Sequence, residues 1–350
     1  MTGAWQPAGD RELRAGLIGL GSMGRNHLRV LGALPGVRLA AIADPVAGSL
    51  AAAVASSGAR GFADPIAMLD AGGLDAVVVA APTTTHRALA LAAIERGIAV
   101  LVEKPLAATP VEALEIAIAA RAAGVPVQVG HIERFNPAVR ELGRLLSMGF
   151  LGAVYAITSR RAGPFPARIR DVGVTIDLAT HDADIISWVA GSRPVRVFGE
   201  TAQRIHADHE DLLFGLLHFP GGTIGMLDVN WLTPAKRRSL VVVGEHGMFE
   251  LDYLTQQLMF TRAEAGATPT LIGGYAPSFA GEVTEIPVDR QEPLAAELSA
   301  FLRSVREGGR PEVDAEDGLW AVAVADALLR AAAEHRAVDL TGLSGRLQVS

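Results

Sequence analysis

Residues 13–34 read LRAGLIGLGSMGRNHLRVLGAL, a pattern typical of a strand, a glycine-rich turn and a helix in succession. The apolar run Leu13–Leu20 predicts a buried strand, and Met23–Leu34 predicts the helix that follows it. Between them lies a G-x-G-x-x-G sequence. Its first glycine permits a tight turn, its second lets a diphosphate approach the backbone, and its third lets helix and strand pack closely. The candidate nucleotide-contacting residues here are Gly19, Gly21, Ser22, Met23 and Gly24.

The same alternation of strand and helix continues to residue 130. Further apolar strands are expected at residues 37–43, 74–81, 98–102 and 125–130. Helices are expected between them, at residues 45–57, 85–97 and 110–124. Continuous apolar strands separated by helices indicate a parallel sheet that is covered on both faces. The sequence therefore predicts an α/β Rossmann domain, a doubly wound parallel sheet, over residues 1–130, in which residues 1–13 are an extension.

The pattern changes after about residue 151. One helix is expected at residues 174–190, and two more close the chain at 293–306 and 315–334. Between them lie short strands separated by turn signals such as Pro220-Gly221-Gly222 and Glu245-His246-Gly247. We therefore expect residues 131–350 to form an α+β domain with a mostly antiparallel sheet.

Composition narrows the class of protein. The 350 residues are half apolar and one-fifth charged, which is typical of a globular protein, and the length favours two domains. There is no cysteine, so disulfides, cysteine-ligated metals and thiolate nucleophiles are excluded. A net charge of -7 argues against nucleic acid or an anionic membrane as a partner. No secretory signal and no apolar run near the ~20 residues of a membrane span is recognisable, so a cytoplasmic location is expected.

Asp44 is the candidate for selecting the cofactor. It ends the second predicted strand, twenty residues after Gly24, where an acidic side chain accepts hydrogen bonds from an adenosine ribose. A carboxylate there repels a 2′-phosphate, so NAD is expected rather than NADP. The alternative is that Asp44, followed by Pro45, only caps the next helix.

Two further strand ends carry polar side chains. Thr83 and His86 belong to the PTTTH sequence after one apolar strand, and Glu103-Lys104-Pro105 follows the next. Loops at the carboxyl ends of parallel strands line the ligand crevice, so Lys104 is expected near the nicotinamide end of a dinucleotide. Of 31 basic residues only Lys104 and Lys236 are lysines, which marks Lys104 as a place where arginine does not serve. The alternative is a surface lysine paired with Glu103.

The stretch RDVGVTIDLATHDAD, residues 170–184, holds the candidate acid–base groups. On a helix, Asp177, His181 and Asp184 share one face. A histidine beside a carboxylate is a proton acceptor, and the carboxylate fixes its tautomer. A metal site and an acidic first helical turn remain as alternatives.

Two other charged clusters have less specific meanings. Residues 206–211, HADHED, contain possible metal ligands, but a solvated acidic turn is favoured and no metal is predicted. Arginines at residues 160–170, including Arg168, and the run Lys236-Arg237-Arg238 are candidates for binding an anionic substrate such as a diphosphate. The alternative for both is a solvated loop.

Taken in order, GLGSMG, Asp44, PTTTH, Glu103-Lys104-Pro105 and the D-x-x-x-H of Asp177 and His181 resemble the glucose–fructose oxidoreductase/inositol dehydrogenase family (Gfo/Idh/MocA). The resemblance extends from about residue 14 to about residue 339. Residues 129–142, 170–184 and 230–253 resemble the branch that contains UDP-N-acetylglucosamine 3-dehydrogenases.

The resemblance implies an open antiparallel sheet in the second domain, an active site between the domains, and a homodimer or homotetramer formed through the open sheet faces. Lys104 resembles the lysine that contacts the reacting hydroxyl, His181 the proton acceptor and Asp177 its neighbour. Glu103 and Thr83 resemble residues near the nicotinamide. His131, Arg134 and Asn136 resemble substrate-cleft residues of the branch.

The function expected from these residues is NAD-dependent oxidation of a secondary hydroxyl, at C3, of a UDP-N-acetylhexosamine-type sugar nucleotide. Within the same chemistry, the alternative is a dehydrogenase or reductase of a cyclitol or another sugar. An NAD-dependent glycoside hydrolase and a catalytically silent NAD-binding regulator are alternatives of other classes. Intact Lys104, Asp177 and His181 argue against the regulator.

Overall fold

A computed structural model describes residues 5–166, 172–263 and 281–342. The described chain forms two compact units. The first contains residues 5–135 and 292–326, and the second contains residues 136–291 and 327–342. The closing segment is therefore divided: residues 292–326 belong with the N-terminal unit, although the change in sequence pattern suggested a single boundary at residue 130.

The first unit is built on a six-stranded sheet in which every neighbouring pair is parallel. The strand order is β3-β2-β1-β4-β5-β6. The strands are β1 (Leu13–Ile18), β2 (Val37–Ala43), β3 (Arg60–Phe62), β4 (Ala76–Val79), β5 (Ala99–Glu103) and β6 (Val127–Gly130). This order confirms the predicted doubly wound sheet, and β3 is the strand that the sequence pattern did not reveal, because only three residues form it.

Five helices connect these strands: α1 (Ser22–Leu31), α2 (Ala47–Ser57), α3 (Pro65–Asp70), α4 (Thr83–Glu95) and α5 (Pro110–Ala123). Local signals fix several of their ends. At α5, Thr109 and Glu112 form a reciprocal capping box, and Gly124 ends the helix in the left-handed conformation. No helix within the described residues is both long and apolar enough to span a membrane.

The second unit contains a nine-stranded sheet in the order β14-β13-β12-β11-β7-β10-β9-β8-β15. Its strands are β7 (Val154–Pro164), β8 (Arg196–Ala202), β9 (Leu212–His218), β10 (Ile224–Asn230), β11 (Leu232–Gly244), β12 (Gly247–Asp252), β13 (Gln257–Arg262), β14 (Val283–Ile286) and β15 (Val338–Asp339). Within the described strands only β7 and β10 pair in parallel, which confirms the mostly antiparallel sheet. The two predicted turns join β9 to β10 and β11 to β12.

One face of this sheet is covered by helices, and the other is exposed. Helix α6 spans Pro137–Ser147, and a π-helical turn, Thr175–Ala179, leads into α7, Thr180–Val189. Ile186 of α7 packs against Gly225 of β10, where no larger side chain would fit. The opposite face exposes large apolar side chains on β9 and β10, namely Phe214, Leu216, Ile224 and Met226. This sheet is therefore open on one face.

The C-terminal helices complete the core of the first unit. They are α8, Pro293–Glu307, and α9, Ala315–Glu334. Leu298 and Phe301 of α8 are fully buried in the same cluster as Leu13 and Leu17 of β1. The other side of the parallel sheet has its own apolar cluster, to which Leu319 of α9 contributes. Both faces of the sheet are thus covered, as its continuous apolar strands require.

Candidate active site

The three glycines after β1 have different reasons to be glycine. Gly19 has φ +94°, and a Cβ on it would lie 2.7 Å from the carbonyl carbon of Ala80. A Cβ on Gly24 would lie 2.7 Å from the carbonyl carbon of Gly19. Gly21 has no heavy atom within 4 Å of the same position, so nothing in the protein itself excludes a side chain there. The space in front of Gly21 is the space that a bound diphosphate would fill.

The start of α1 faces this space without a side-chain cap. Gly21 is the N-cap residue, no side chain accepts a hydrogen bond from the first turn, and Ser22 is exposed. The first N–H groups of a helix need an acceptor, and the helix dipole favours a negative one. Glycine clearance and uncapped N–H groups together fit the pyrophosphate of a dinucleotide. Met23, half-buried, is the next residue of the same turn.

Asp44 holds the backbone of this loop. One carboxylate oxygen accepts the N–H of Leu20 at 2.7 Å, and the other accepts the N–H of Val46 at 2.8 Å, at the start of α2. The capping role considered as an alternative is therefore real. Each carboxylate oxygen has two acceptor sites, so these two bonds leave capacity for a ribose hydroxyl.

His86 connects two loops at the carboxyl ends of β4 and β5. The ring is 1% exposed, with Nδ1 2.8 Å from the carbonyl oxygen of Pro105 and Nε2 2.9 Å from that of Ala81. Burial lowers the pKa of His86 below its usual value, against the opposing effect of the two carbonyls and of Glu103. Both ring nitrogens thus face protein carbonyls, and the neutral ring donates its single N–H to one of them. Thr83, the first residue of α4, is half-buried beside the same loop.

Glu103 is held by a residue that the sequence reasoning missed. His27 of α1 is fully buried, and its Nε2 lies 2.7 Å from Oε1 of Glu103. The other oxygen accepts the backbone N–H of Lys104 at 3.3 Å, and Lys104 itself is half-buried. His27 stands three residues after Gly24, so the helix that begins at the phosphate loop also fixes the E-K-P segment. A lone histidine on the buried face of an amphipathic helix was the available signal.

In the second unit the predicted acid–base residues lie on one continuous helical segment. Asp177, half-buried, sits in the π-helical turn, and His181, 8% exposed, sits in the first turn of α7. Single π-turns within helices occur frequently at functional sites. The start of this segment is fixed by Glu210, whose Oε1 accepts the N–H of Thr175 at 3.0 Å. Glu210 packs so closely on Gly173 that no Cβ fits there.

Asp182, beside His181, has a structural partner. Its carboxylate is fully buried. It accepts hydrogen bonds from Nε of Arg161 at 2.9 Å and from the hydroxyl of Ser159 at 2.7 Å. The guanidinium of Arg161 also lies over the ring of Tyr253, 5.3 Å from its centroid. Arg160, next in the strand, pairs with Asp228 at 2.9 Å. These two arginines lie in β7 rather than in a loop, and the burial of Arg161 and its pairing with Asp182 argue against a role in binding an anionic substrate.

The remaining predicted substrate residues have varied environments. His131 is buried, and Arg134 is 8% exposed with Asp317 at 3.8 Å. Asn136 accepts the N–H of Ala138 as the cap of α6 and donates to the carbonyl of Tyr253. Lys236 is exposed on β11. Arg168 lies outside the described residues.

The HADHED segment is organised around backbone groups. Nδ1 of His206 accepts the N–H groups of Asp208 and His209. Asp211 accepts three successive backbone N–H groups, from Arg204 to His206. Burial alone would raise the pKa of Asp211, but these donors outweigh it and hold the pKa below its usual value. Within the described ranges no group of three or more acidic or histidine side chains could hold a metal ion.

Comparisons with known proteins agree with this geometry. A model described as "Oxidoreductase family, NAD-binding Rossmann fold" matches residues 13–131, and a GFO/IDH/MocA C-terminal domain model matches residues 139–250. Inositol 2-dehydrogenase 2 of Saccharopolyspora erythraea is 33% identical over 92% of this chain and 93% of its own length. UDP-N-acetylglucosamine 3-dehydrogenase of Acidithiobacillus ferrooxidans is 28% identical over 84% of this chain and 89% of its own.

The solved structure of that A. ferrooxidans enzyme, GnnA, superimposes with a TM-score of 0.81 at 26% identity, covering 91% of this chain and 97% of its own. Both domain models match in the expected order, and the relatives match along nearly their whole length. The loop Gly19–Gly24 accordingly lies within residues that match an NAD-binding Rossmann domain. The chain belongs to the Gfo/Idh/MocA family of oxidoreductases.

Proposed function

We propose that the protein is an NAD-dependent dehydrogenase that oxidises a secondary ring hydroxyl of a UDP-N-acetylhexosamine-type sugar nucleotide. The observation that carries the dehydrogenase proposal is the arrangement of the first unit. The diphosphate cradle follows β1, and Lys104 follows β5, two strands away at the same edge of the parallel sheet. Membership of an NAD-binding oxidoreductase family supplies the reaction class.

In this proposal each side chain has one task. The ammonium of Lys104 donates a hydrogen bond to the reacting hydroxyl oxygen and stabilises the negative charge that develops there. His181 accepts the hydroxyl proton, and Asp177 orients the imidazole. When bound, NAD accepts the hydride from the carbon that carries this oxygen. Asp44 favours NAD, because its carboxylate repels the 2′-phosphate of NADP.

A cyclitol is the second candidate substrate, and a specific observation favours it. Arg160 and Arg161, two members of the cluster suggested for a diphosphate, are engaged by Asp228 and Asp182. The sugar-nucleotide proposal therefore depends on Arg168, Lys236 and their neighbours. The inositol 2-dehydrogenase of S. erythraea, at 33% identity, is a relative with the alternative substrate.

A homo-oligomer formed through the open sheet face is part of the proposal. Phe214, Leu216, Ile224 and Met226 place a contiguous apolar surface on neighbouring strands. Large exposed apolar patches mark interaction sites, and a second copy of the chain would cover this one.

The test is a substrate panel with purified protein. The co-purifying nucleotide is first identified by mass spectrometry, and NADH absorbance is then followed with UDP-N-acetylglucosamine, its uronate, free N-acetylglucosamine and myo-inositol. We expect the UDP-sugars to have a far higher kcat/KM than the free sugar, with NAD preferred over NADP. Equal kcat/KM for free and UDP-linked sugar contradicts the sugar-nucleotide proposal, and oxidation of myo-inositol alone establishes the cyclitol. Cleavage of a glycoside without net NADH identifies a hydrolase.

A further inference from the structure

A carboxyl group without a hydrogen-bond partner is buried in the first unit. Glu297 of α8 has no exposed surface, and neither carboxyl oxygen has a hydrogen-bond partner among the described residues. Its backbone carbonyl accepts the side-chain amide of Gln128, on β6, at 3.2 Å, and Gln128 is also fully buried. An unpaired ionised carboxylate in such a place is so costly that the group takes up a proton instead.

Glu103 is the charged group that acts on Glu297. Burial raises the pKa of Glu297 well above its usual value, and the negative charge of Glu103 raises it further. Two carboxyl groups in one buried site cannot both ionise easily, so one of them holds a proton.

Hydrogen bonding decides which of the two is neutral. Glu103 has Nε2 of His27 at 2.7 Å on one oxygen and the backbone N–H of Lys104 at 3.3 Å on the other. Such donors favour the ionised form of a carboxyl group, and Glu297 has none. The proton is therefore held by Glu297.

We propose that Glu297 is a positioning residue: in its neutral form it leaves Glu103 in place between His27 and the backbone N–H of Lys104. The room around Glu103 is small, since a Cβ on Gly130 of β6 would lie 3.1 Å from its Oε2. Ionisation of Glu297 adds a second negative charge to this packed site. Repulsion between the two carboxylates then displaces Glu103. Because Glu103 accepts a hydrogen bond from the backbone N–H of Lys104, the backbone that carries Lys104 moves as well. The role of Lys104 in this inference rests on the proposed dehydrogenase function.

The test compares Glu297→Gln, which has the shape of the neutral carboxyl group but cannot ionise, with the wild type. The matched control is Glu307→Gln, the same substitution at an exposed position of the same helix. We expect Glu297→Gln to keep kcat within about threefold at the pH where the wild type is most active, and to lose a decline of kcat at higher pH that the wild type and Glu307→Gln both show. Superimposable pH profiles of Glu297→Gln and wild type, or a larger loss of kcat at that pH, would overturn the proposal.

Two further measurements need no substrate. The unfolded chain releases the Glu297 proton near the ordinary carboxyl value of 4.5, whereas the folded chain holds it to a higher pH. The wild type must therefore lose stability relative to Glu297→Gln as pH rises through that window. The difference in Tm should grow with pH, and a constant difference contradicts the assigned proton. If Glu297→Gln does not fold, Glu297→Met, neutral and similar in length, takes its place.

The second measurement follows the lysine itself. An amine-reactive label is applied at a series of rising pH values, and Lys236, the only other lysine, serves as the internal reference. We expect the labelling of Lys104 relative to Lys236 to increase in the wild type and not in Glu297→Gln as Glu297 ionises. Equal ratios in the two proteins would show that Glu297 does not position Lys104. Because this assay uses no substrate, it separates a failure of this inference from a failure of the proposed function.

Discussion

Arg160 and Arg161 form one exposed and one buried ion pair in the same strand, so they allow the effect of burial on the stability that an ion pair contributes to be measured. Each places Nε 2.9 Å from an aspartate oxygen, Asp228 and Asp182 respectively. The Arg160 side chain is 51% exposed, whereas those of Arg161 and Asp182 are 1% and 0% exposed. Replacing each arginine by methionine keeps most of the side-chain stem, so the comparison isolates the charged end.

The expected losses differ by several kcal/mol. Arg161→Met leaves Asp182 as a buried charge whose remaining side-chain donor, within the described ranges, is the neutral Ser159 hydroxyl. Breaking such a pair costs about 3–5 kcal/mol. Arg160→Met removes an exposed pair that contributes about 0–1 kcal/mol. In a domain of this size 1 kcal/mol shifts Tm by about 2–4 °C, so we expect a fall of about 6–20 °C for Arg161→Met and under about 4 °C for Arg160→Met.

Calorimetry or urea unfolding of the two variants measures this difference directly. If the losses in free energy of unfolding of the two variants differ by less than about 1 kcal/mol, the argument from burial is refuted. Adding Asp182→Leu to Arg161→Met should recover much of the loss, because an apolar pair can replace a buried ion pair at little cost. Kinetics of Arg161→Met supply an independent check: if this guanidinium held the substrate, KM would rise while Tm stayed near the wild-type value.

Gly24→Ala should abolish NAD binding, because its Cβ collides with the Gly19 backbone, whereas Gly21→Ala should keep the wild-type Tm and lose NAD affinity in calorimetry. Lys104→Arg should lose most of kcat and His181→Ala roughly 10²–10⁴-fold, both with an unchanged NAD dissociation constant; near-wild-type kcat in both would remove them from the chemistry. Phe214→Asp should yield a smaller species by light scattering, and an unchanged mass would exclude the open face as the interface.

Local signals explain which elements the sequence predicted well. Helix α5 was expected at residues 110–124 and spans Pro110–Ala123, because Thr109, Glu112 and Gly124 set its ends through contacts within a few residues. Strand β7 was not expected, because Arg160 and Arg161 break its apolar pattern. Arg161 is buried where Asp182, twenty-one residues later in the chain, accepts a hydrogen bond from it.

In the candidate site, too, residues recognised from local sequence differ from residues that depend on distant contacts. The glycine loop, Asp44 and the E-K-P segment follow from strand ends and spacing, which a sequence displays. His27 and Glu297 could not be found in this way, since each gains its significance from Glu103, at separations of 76 and nearly 200 residues. A sequence thus displays candidate ligand-binding residues more readily than the residues that hold them in place.

The first unit combines residues 5–135 with residues 292–326, so its two parts are synthesised at different times. Strand β1 leaves the ribosome early, yet Leu298 and Phe301, which cover Leu13 and Leu17, are made almost 290 residues later. At roughly 5–20 residues per second, this interval lasts on the order of 15–60 seconds. During that time one face of the nascent nucleotide-binding sheet is covered by α1 and α2 but lacks α8. A chain that stops before α8 is therefore expected to aggregate or to bind chaperones, even though every residue of its phosphate loop is present.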